Sequence, residues 1–319
     1  MTEWNEGIAK IVLPTPFPVG DVNVYVVKGE RLTLVDVGPK TDEAWEALTL
    51  QLKDLDLTPE DIEQVVLTHH HPDHAGLLDY FPASLDVYGH RWNERWISQA
   101  DLFLQEHDDF FQKMFVEFGL PDEFFPYIAR MKKTLRFSCN RSLTGMLGEG
   151  DHPIGMSEWT VIETPGHAQS QIGLLRKRDG VYIAGDHLLA NISPNPLLEP
   201  PLPGETERPK PQLQYNASLR KLLEVPLLFV YTGHGGEITD PHRLIERRLV
   251  RQHERAMQVK QLLVEKPLTV YETCVRLFPT IYAKELSLTM SETVAQLDYL
   301  SSLGEITIQK DDKAFRYSV

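Results

Sequence analysis

VVLTHHHPDHAG, residues 65–76, is the stretch whose reading decides the rest. VVLTHHH, residues 65–71, reads as a buried strand running into a loop. His69, His71, Asp73 and His74 then fall at H-x-H-x-D-H spacing on the loop. On a continuing strand alternate side chains would diverge to opposite faces, whereas a loop lets four metal-competent groups converge on one point. Without a cation between them, so many imidazoles would repel one another on protonation.

Three later positions repeat one context, a strand ending in a polar residue beside glycine. ETPGHA supplies His167, IAGDHL supplies Asp186 and VYTGHGG supplies His234. Glycine lets the backbone turn sharply there and bring the side chain in close. Five imidazoles and two carboxylates make a nitrogen-rich, borderline donor set, which suits Zn2+ and also admits Fe or Mn. His70, His90 and His187 lie beside these positions but outside the pattern.

Outward from this centre the chain alternates strands and helices. Residues 8–13, 22–27 and 32–38 read as strands, residues 41–55 as a helix with acids in its first turn, and 84–90 as another strand. Strand signals resume at 159–166. A hairpin-like pair follows around the Asp179-Gly180 turn, and a buried strand lies at 226–233. This is the pattern of a layered α/β domain. Residues 91–137 interrupt it with 11 of the 29 aromatic residues at helical spacings, read as a helical insertion that packs its own core or gates a substrate. Seven prolines between 191 and 211 mark irregular loop. A long helix starts with Asp240 as N-cap and Pro241 at N1.

The tail, 265–319, reads as separable from a catalytic domain of residues 1–264. Thr269 with Glu272, and Thr289 with Glu292, have capping-box spacing; Gly304 stops the second helix; and a hairpin turns at Lys310-Asp311-Asp312. Helices followed by a hairpin are expected to form a small winged-helix-like unit, able to pack on the insertion or make a homodimer contact.

The chain has 319 residues and a formal net charge of −14. From residue 240 onward the balance is +1, so the acid lies in residues 1–239. Such a chain repels polyphosphate, which counts against nucleic-acid partners, and the arginines from Arg243 to Arg255, interleaved with Glu246 and Glu254, read as a solvated helix face. Cys139 and Cys274 have no metal or redox spacing. The amino-terminal residues lack an apolar signal segment and no run of eighteen apolar residues occurs, so the expectation is a cytoplasmic protein with no membrane partner.

With T-H-x-H-x-D-H at Thr68–His74 and the TPGH, GD and GHG elements in order, the chain resembles the metallo-β-lactamase superfamily over about residues 8–260. The resemblance implies a four-layer αββα sandwich with two metal ions at one edge. His69, His71 and His167 would hold the first, Asp73, His74 and His234 the second, and Asp186 would bridge them. Asp36 matches the family's early aspartate, which supports a histidine ligand from behind. The implied chemistry is hydrolysis by a metal-bridging hydroxide, with Asp73 passing the proton to the leaving group. Asp186 is not the residue found there in true zinc β-lactamases; the same ligand set is similar to that of glyoxalase II-like thioesterases, lactonases and several ribonucleases. Ala168 and Gln171 depart from the family's usual Thr and Ser, so the loop after His167 should be bonded differently. The reading is a hydrolase of a small-molecule ester, thioester or lactone. The alternative is a metal-dependent endoribonuclease or phosphodiesterase, and an iron-dependent persulfide dioxygenase ranks third because the second-metal set is intact. A non-catalytic binding module ranks last.

Overall fold

The computed structural model describes residues 2–319. Seven strands form the first sheet in chain order: β1 (Trp4–Asn5), β2 (Ile8–Leu13), β3 (Val22–Val27), β4 (Thr33–Val35), β5 (Gln64–Leu67), β6 (Asp86–Gly89) and β7 (Gly145–Met146). The first four are antiparallel, and β4 to β7 are parallel. The second sheet has β8 (Trp159–Glu163), β9 (Ile172–Arg176), β10 (Val181–Ile183) and β11 (Phe229–Tyr231), in the order β11-β10-β9-β8.

Period-2 alternation sorts these strands' residues into layers. Ala9, Ile11, Val24, Leu34, Val65 and Leu67 face outward onto α1 (Asp42–Lys53), whose Ala44, Leu48 and Leu52 meet them. Ile8, Tyr25, Val35 and Val66 face the other way and meet Trp159, Val161, Ile172, Leu174 and Ile183 between the sheets. Ile162, Leu175, Tyr182 and Val230, on the far face of the second sheet, pack under two later helices through Leu219, Leu222 and Ile245. Three apolar interfaces thus stack four layers, helix, sheet, sheet and helix. Each fully buried leucine or valine contributes about 1.5–3 kcal/mol.

The remaining helices are α2 (Pro72–Ala75), α3 (Glu94–Ile97), α4 (Asp101–Glu117), α5 (Pro126–Lys133), α6 (Pro211–Leu223), α7 (Pro241–Leu262), α8 (Val270–Leu277) and α9 (Leu286–Ser302). Helices α3 to α5 occupy the aromatic insertion, and no helix or strand is formed between Asn191 and Lys210. Asp240 caps α7 by accepting from the Arg243 N–H, and Thr269 and Glu272 make the expected capping box on α8. The Thr289 box does not form. Helix α9 begins at Leu286, and the Thr289 hydroxyl, now inside the helix, donates to the Glu285 carbonyl. The carboxy-terminal strands β12 (Thr307–Asp311) and β13 (Ala314–Ser318) pair through Asp311 and Ala314, so the hairpin turns at Asp312-Lys313 rather than at 310–312.

The tail does not keep a core to itself. Phe111, Phe115, Phe118 and Ile128 of the insertion, Ala256, Val259 and Leu263 at the end of α7, and Cys274, Met290, Val294, Leu297 and Tyr317 of the tail form one apolar cluster. The Tyr271 N–H also donates to the Phe118 carbonyl at 3.0 Å. Among the described residues no helix is long and apolar enough to cross a membrane.

Candidate metal centre

Strands from both sheets end at one edge. β5 runs into His69–His74, β8 into His167, β10 into Asp186 and β11 into His234, and the Asn23 N–H seals the edge by donating to the Gly233 carbonyl at 2.7 Å. The seven residues come together in three overlapping groups: His69, His71 and His167; His69, His74 and Asp186; Asp73, His74 and His234. His71 Nδ1 lies 3.0 Å from His69 Nε2 and 3.0 Å from His167 Nε2. One Asp186 oxygen is 3.4 Å from His74 Nε2, and the other is 3.5 Å from His167 Nε2 and 3.4 Å from His234 Nε2. Asp186 therefore stands between the two sides. Asp73 Oδ2 is 3.4 Å from His234 Nε2.

The backs of the rings explain which nitrogen faces in. Asp36 accepts from His74 Nδ1 at 2.8 Å and from the Thr68 N–H and hydroxyl at 2.7 Å each, and the Thr68 oxygen in turn lies 3.0 Å from His69 Nδ1. The Asn195 carbonyl accepts from His167 Nδ1 at 2.9 Å, and the Asp21 carbonyl from His234 Nδ1 at 2.7 Å. With Nδ1 committed as donor in four rings, their Nε2 lone pairs point to the centre, the tautomer a metal ligand needs. His74 Nε2, His234 Nε2 and Asp186 Oδ1 are buried with no hydrogen-bond partner. Orphaned buried acceptors are costly unless something binds them, and these converge. The donor set fits two divalent cations.

Electrostatics divides the centre. On the histidine side, burial and then His167 push His71 down to about 3, and burial drives His69 well below its ordinary value. On the carboxylate side, burial is the largest single influence and opposes charging, but the carboxylates together outweigh it: Asp186, Asp36 and Asp73 raise His74 well above its ordinary value, and Asp186 with Asp73 raises His234 to about 10. Burial would raise Asp186 too, yet His234 and His74 hold it well below the usual carboxylate range.

Two glycines make the close approach possible. A Cβ on Gly233 would collide with the Asp186 carboxylate, and Gly185, at φ +51, would bring one to 2.6 Å from Thr68 Oγ1. Asp36 holds a left-handed φ of 59, a conformation aspartate tolerates better than most side chains.

The sequence pattern passes over Thr68 as a link to His69, and over the Asn195 and Asp21 carbonyls. Of the flanking histidines, His70 is buried, bonded to Ser170 Oγ at 2.8 Å and stacked on Trp96 with ring centroids 4.4 Å apart. His90 faces Glu163 at 3.3 Å, and His187 packs against Tyr215 with both ring nitrogens unpartnered. Gln171, in place of the usual small residue, donates to the Ile172 and Ala184 carbonyls.

A cavity of about 420 Å³ opens beside His70 and His71. Trp96, Phe111, Tyr127 and Met131 of the insertion wall one side, Leu197 to Glu199 another, and Leu288 of α9 a third. Buried Glu199 accepts from the Gln169 N–H at 2.8 Å and faces Arg95 at 3.5 Å, tying the insertion to the loop that carries His167.

A family profile, "Metallo-beta-lactamase superfamily", matches residues 17–234. The "Probable metallo-hydrolase YqjP" of Bacillus subtilis (strain 168) is 47% identical over 302 residues, 95% of this chain and 94% of that one. The crystal structure of the metallo-β-lactamase family protein TTHA1429 from Thermus thermophilus superposes with a TM-score of 0.82 at 28% identity, covering 98% of this chain and 99% of that one. The N-acyl homoserine lactonase AiiB of Rhizobium rhizogenes (strain K84) is 29% identical over 140 residues, 43% of this chain and 44% of that one. The chain belongs to the metallo-β-lactamase superfamily, whose members bind divalent metals, and is a metal-dependent hydrolase.

Proposed function

We propose that the chain hydrolyses an ester, thioester or lactone of a small molecule at a dinuclear centre, with Zn2+ as the metal pair. The observation that carries this reading is the convergence of five imidazoles and two carboxylates in which four rings have Nδ1 tied back. His69, His71 and His167 would hold one ion, Asp73, His74 and His234 the other, and Asp186 both. Two such cations lower the pKa of a water between them and polarise the bond under attack. The protein's own part is positional. Asp36 fixes His74 directly and His69 through Thr68, Asn195 fixes His167, and Asp73, 8% exposed, would take a proton from the nucleophile and give it to the leaving group.

The adjoining cavity supports a small substrate with an apolar portion. Its volume lies within the range of small-molecule sites, and its walls are mostly aromatic and aliphatic. The partial likeness to a lactonase accords with a cyclic or acyl ester. The deciding experiment measures metal per chain beside hydrolysis of thioesters, lactones, phosphodiesters and single-stranded RNA. Two metals with ester, thioester or lactone turnover are expected; one metal per chain, or RNA cleavage as the only activity, would overturn the reading.

A further inference from the structure

A second cavity lies against α7. It holds about 350 Å³ and is lined by Arg247, Arg248, Arg251 and Arg255 from the helix, by the loop residues Ala190 to Ser193, and by Glu292 of α9. Four guanidiniums against one carboxylate leave a local excess of positive charge in a chain of net −14. Arg255 is partly engaged, its Nε lying 3.9 Å from Glu292. Arg247 and Arg251 are exposed and, among the described residues, have no acidic partner within ion-pair distance.

Arg248 is the second, independent observation. It is 6% exposed, its Nη2 donates to the Leu189 and Ile192 carbonyls, and its guanidinium lies beside the Tyr215 side chain, which leaves it a buried positive charge on the cavity wall. A buried guanidinium that, among the described residues, has no carboxylate within ion-pair distance is a costly charge to hold unless an anion lies near it. Planar donor forks grouped in this way match the tetrahedral oxygens of phosphate.

We propose that this cavity binds an oligophosphate group of a small molecule, the pyrophosphate unit being the minimal ligand. Arg247, Arg251 and Arg255 follow one another at four-residue intervals, about 6 Å along the helix axis, so two linked phosphates can meet neighbouring guanidiniums that a single phosphate would have to share. A nucleic-acid backbone fits less well, because the positive charge gathers at one cavity while Glu246 and Glu254 interrupt the rest of the helix. The site also adjoins the catalytic edge. Its loop begins just after Asp186, passes the carbonyls held by Arg248, and reaches Asn195, whose carbonyl fixes His167. An occupied cavity would hold that loop still.

Isothermal titration of pyrophosphate into the full metal-loaded chain tests this, alongside melting temperature at matched ionic strength. Saturable binding is expected, with a rise in Tm beyond that given by sodium chloride. Arg247→Gln with Arg251→Gln, both exposed side chains, should weaken it at least tenfold without altering the melting of the unliganded protein. Arg220→Gln on α6 should leave it unchanged, and so should His71→Ala, which separates this site from the metal centre. No saturable binding, equal affinity in the double variant, or loss in His71→Ala alone would overturn the proposal. So would a ten-nucleotide single strand that binds more tightly than pyrophosphate and is lost in the same double variant.

Discussion

Asp36 carries more of the site than its single matched position indicates. Both its oxygens are engaged, one by the Thr68 N–H and the other by the Thr68 hydroxyl and His74 Nδ1. Thr68→Val removes the acceptor behind His69 while keeping the shape. Metal affinity is expected to fall 10- to 100-fold, measured by competition with a chromogenic chelator, while the melting curve of the metal-free chain moves little. His107, in the cavity wall, reports on proton linkage instead. Burial above all, opposed by Asp108, holds its ring below the ordinary value of 6.5. The unfolded chain therefore binds a proton below pH 6.5 that the folded chain refuses, and stability is lost as the pH drops through that range, by up to about 1.4 kcal/mol per unit. His107→Phe should flatten that acid limb, read by urea denaturation between pH 6.5 and 5. At this scale the seven inward side chains were legible in the sequence, since their chemistry is particular to the residue type. The Asn195 and Asp21 acceptors were not, because a backbone carbonyl is the same at every position.

Among the elements, the loops beyond strand ends depend most on glycine. At Gly233 a methyl group would meet the Asp186 carboxylate, so Gly233→Ala must move either the turn or the ligand between the two sides. Loss of at least one metal equivalent and a fall in kcat/KM of at least 100-fold are expected by elemental analysis and steady-state assay, since small misplacements of catalytic groups cost about that much. Helix starts were readable where a cap competes with nothing else. Thr269 caps α8, and Thr269→Ala should cost about 1 kcal/mol by denaturant unfolding. Thr289 has the same spacing to an acid, yet Leu286, fully buried in the shared cluster, draws the helix back to an earlier start. Tertiary packing overrides a local signal worth only about that much.

Across the whole molecule, alternating strands and helices marked a layered α/β domain and the resemblance implied its four layers, which the structure builds because each strand's two faces meet different layers. The relation of tail to insertion did not follow. An aromatic stripe states that a face is buried, not which segment buries it, and here α4, α5, α7 and the tail bury one another. A chain ending at residue 264 is accordingly expected to lose more than its last helices. It should expose Phe111, Phe115, Ala256 and Val259 and bind a hydrophobic dye. It should also lose turnover as the cavity wall at Leu288 goes. A soluble truncated chain with unchanged kcat/KM would show instead that the two parts are independent.

The cavity's construction also has a bearing on how the protein is made. Segments emerge from the ribosome in order, and the last of the seven converging residues is His234, whereas Leu288 and Ser291 of the adjoining wall follow more than fifty positions later. For roughly 3 to 11 seconds of synthesis the nascent chain has every inward-facing histidine and aspartate outside the tunnel before the cavity wall can close. The order of translation thus separates the exposure of the seven converging residues from the closure of the cavity beside them.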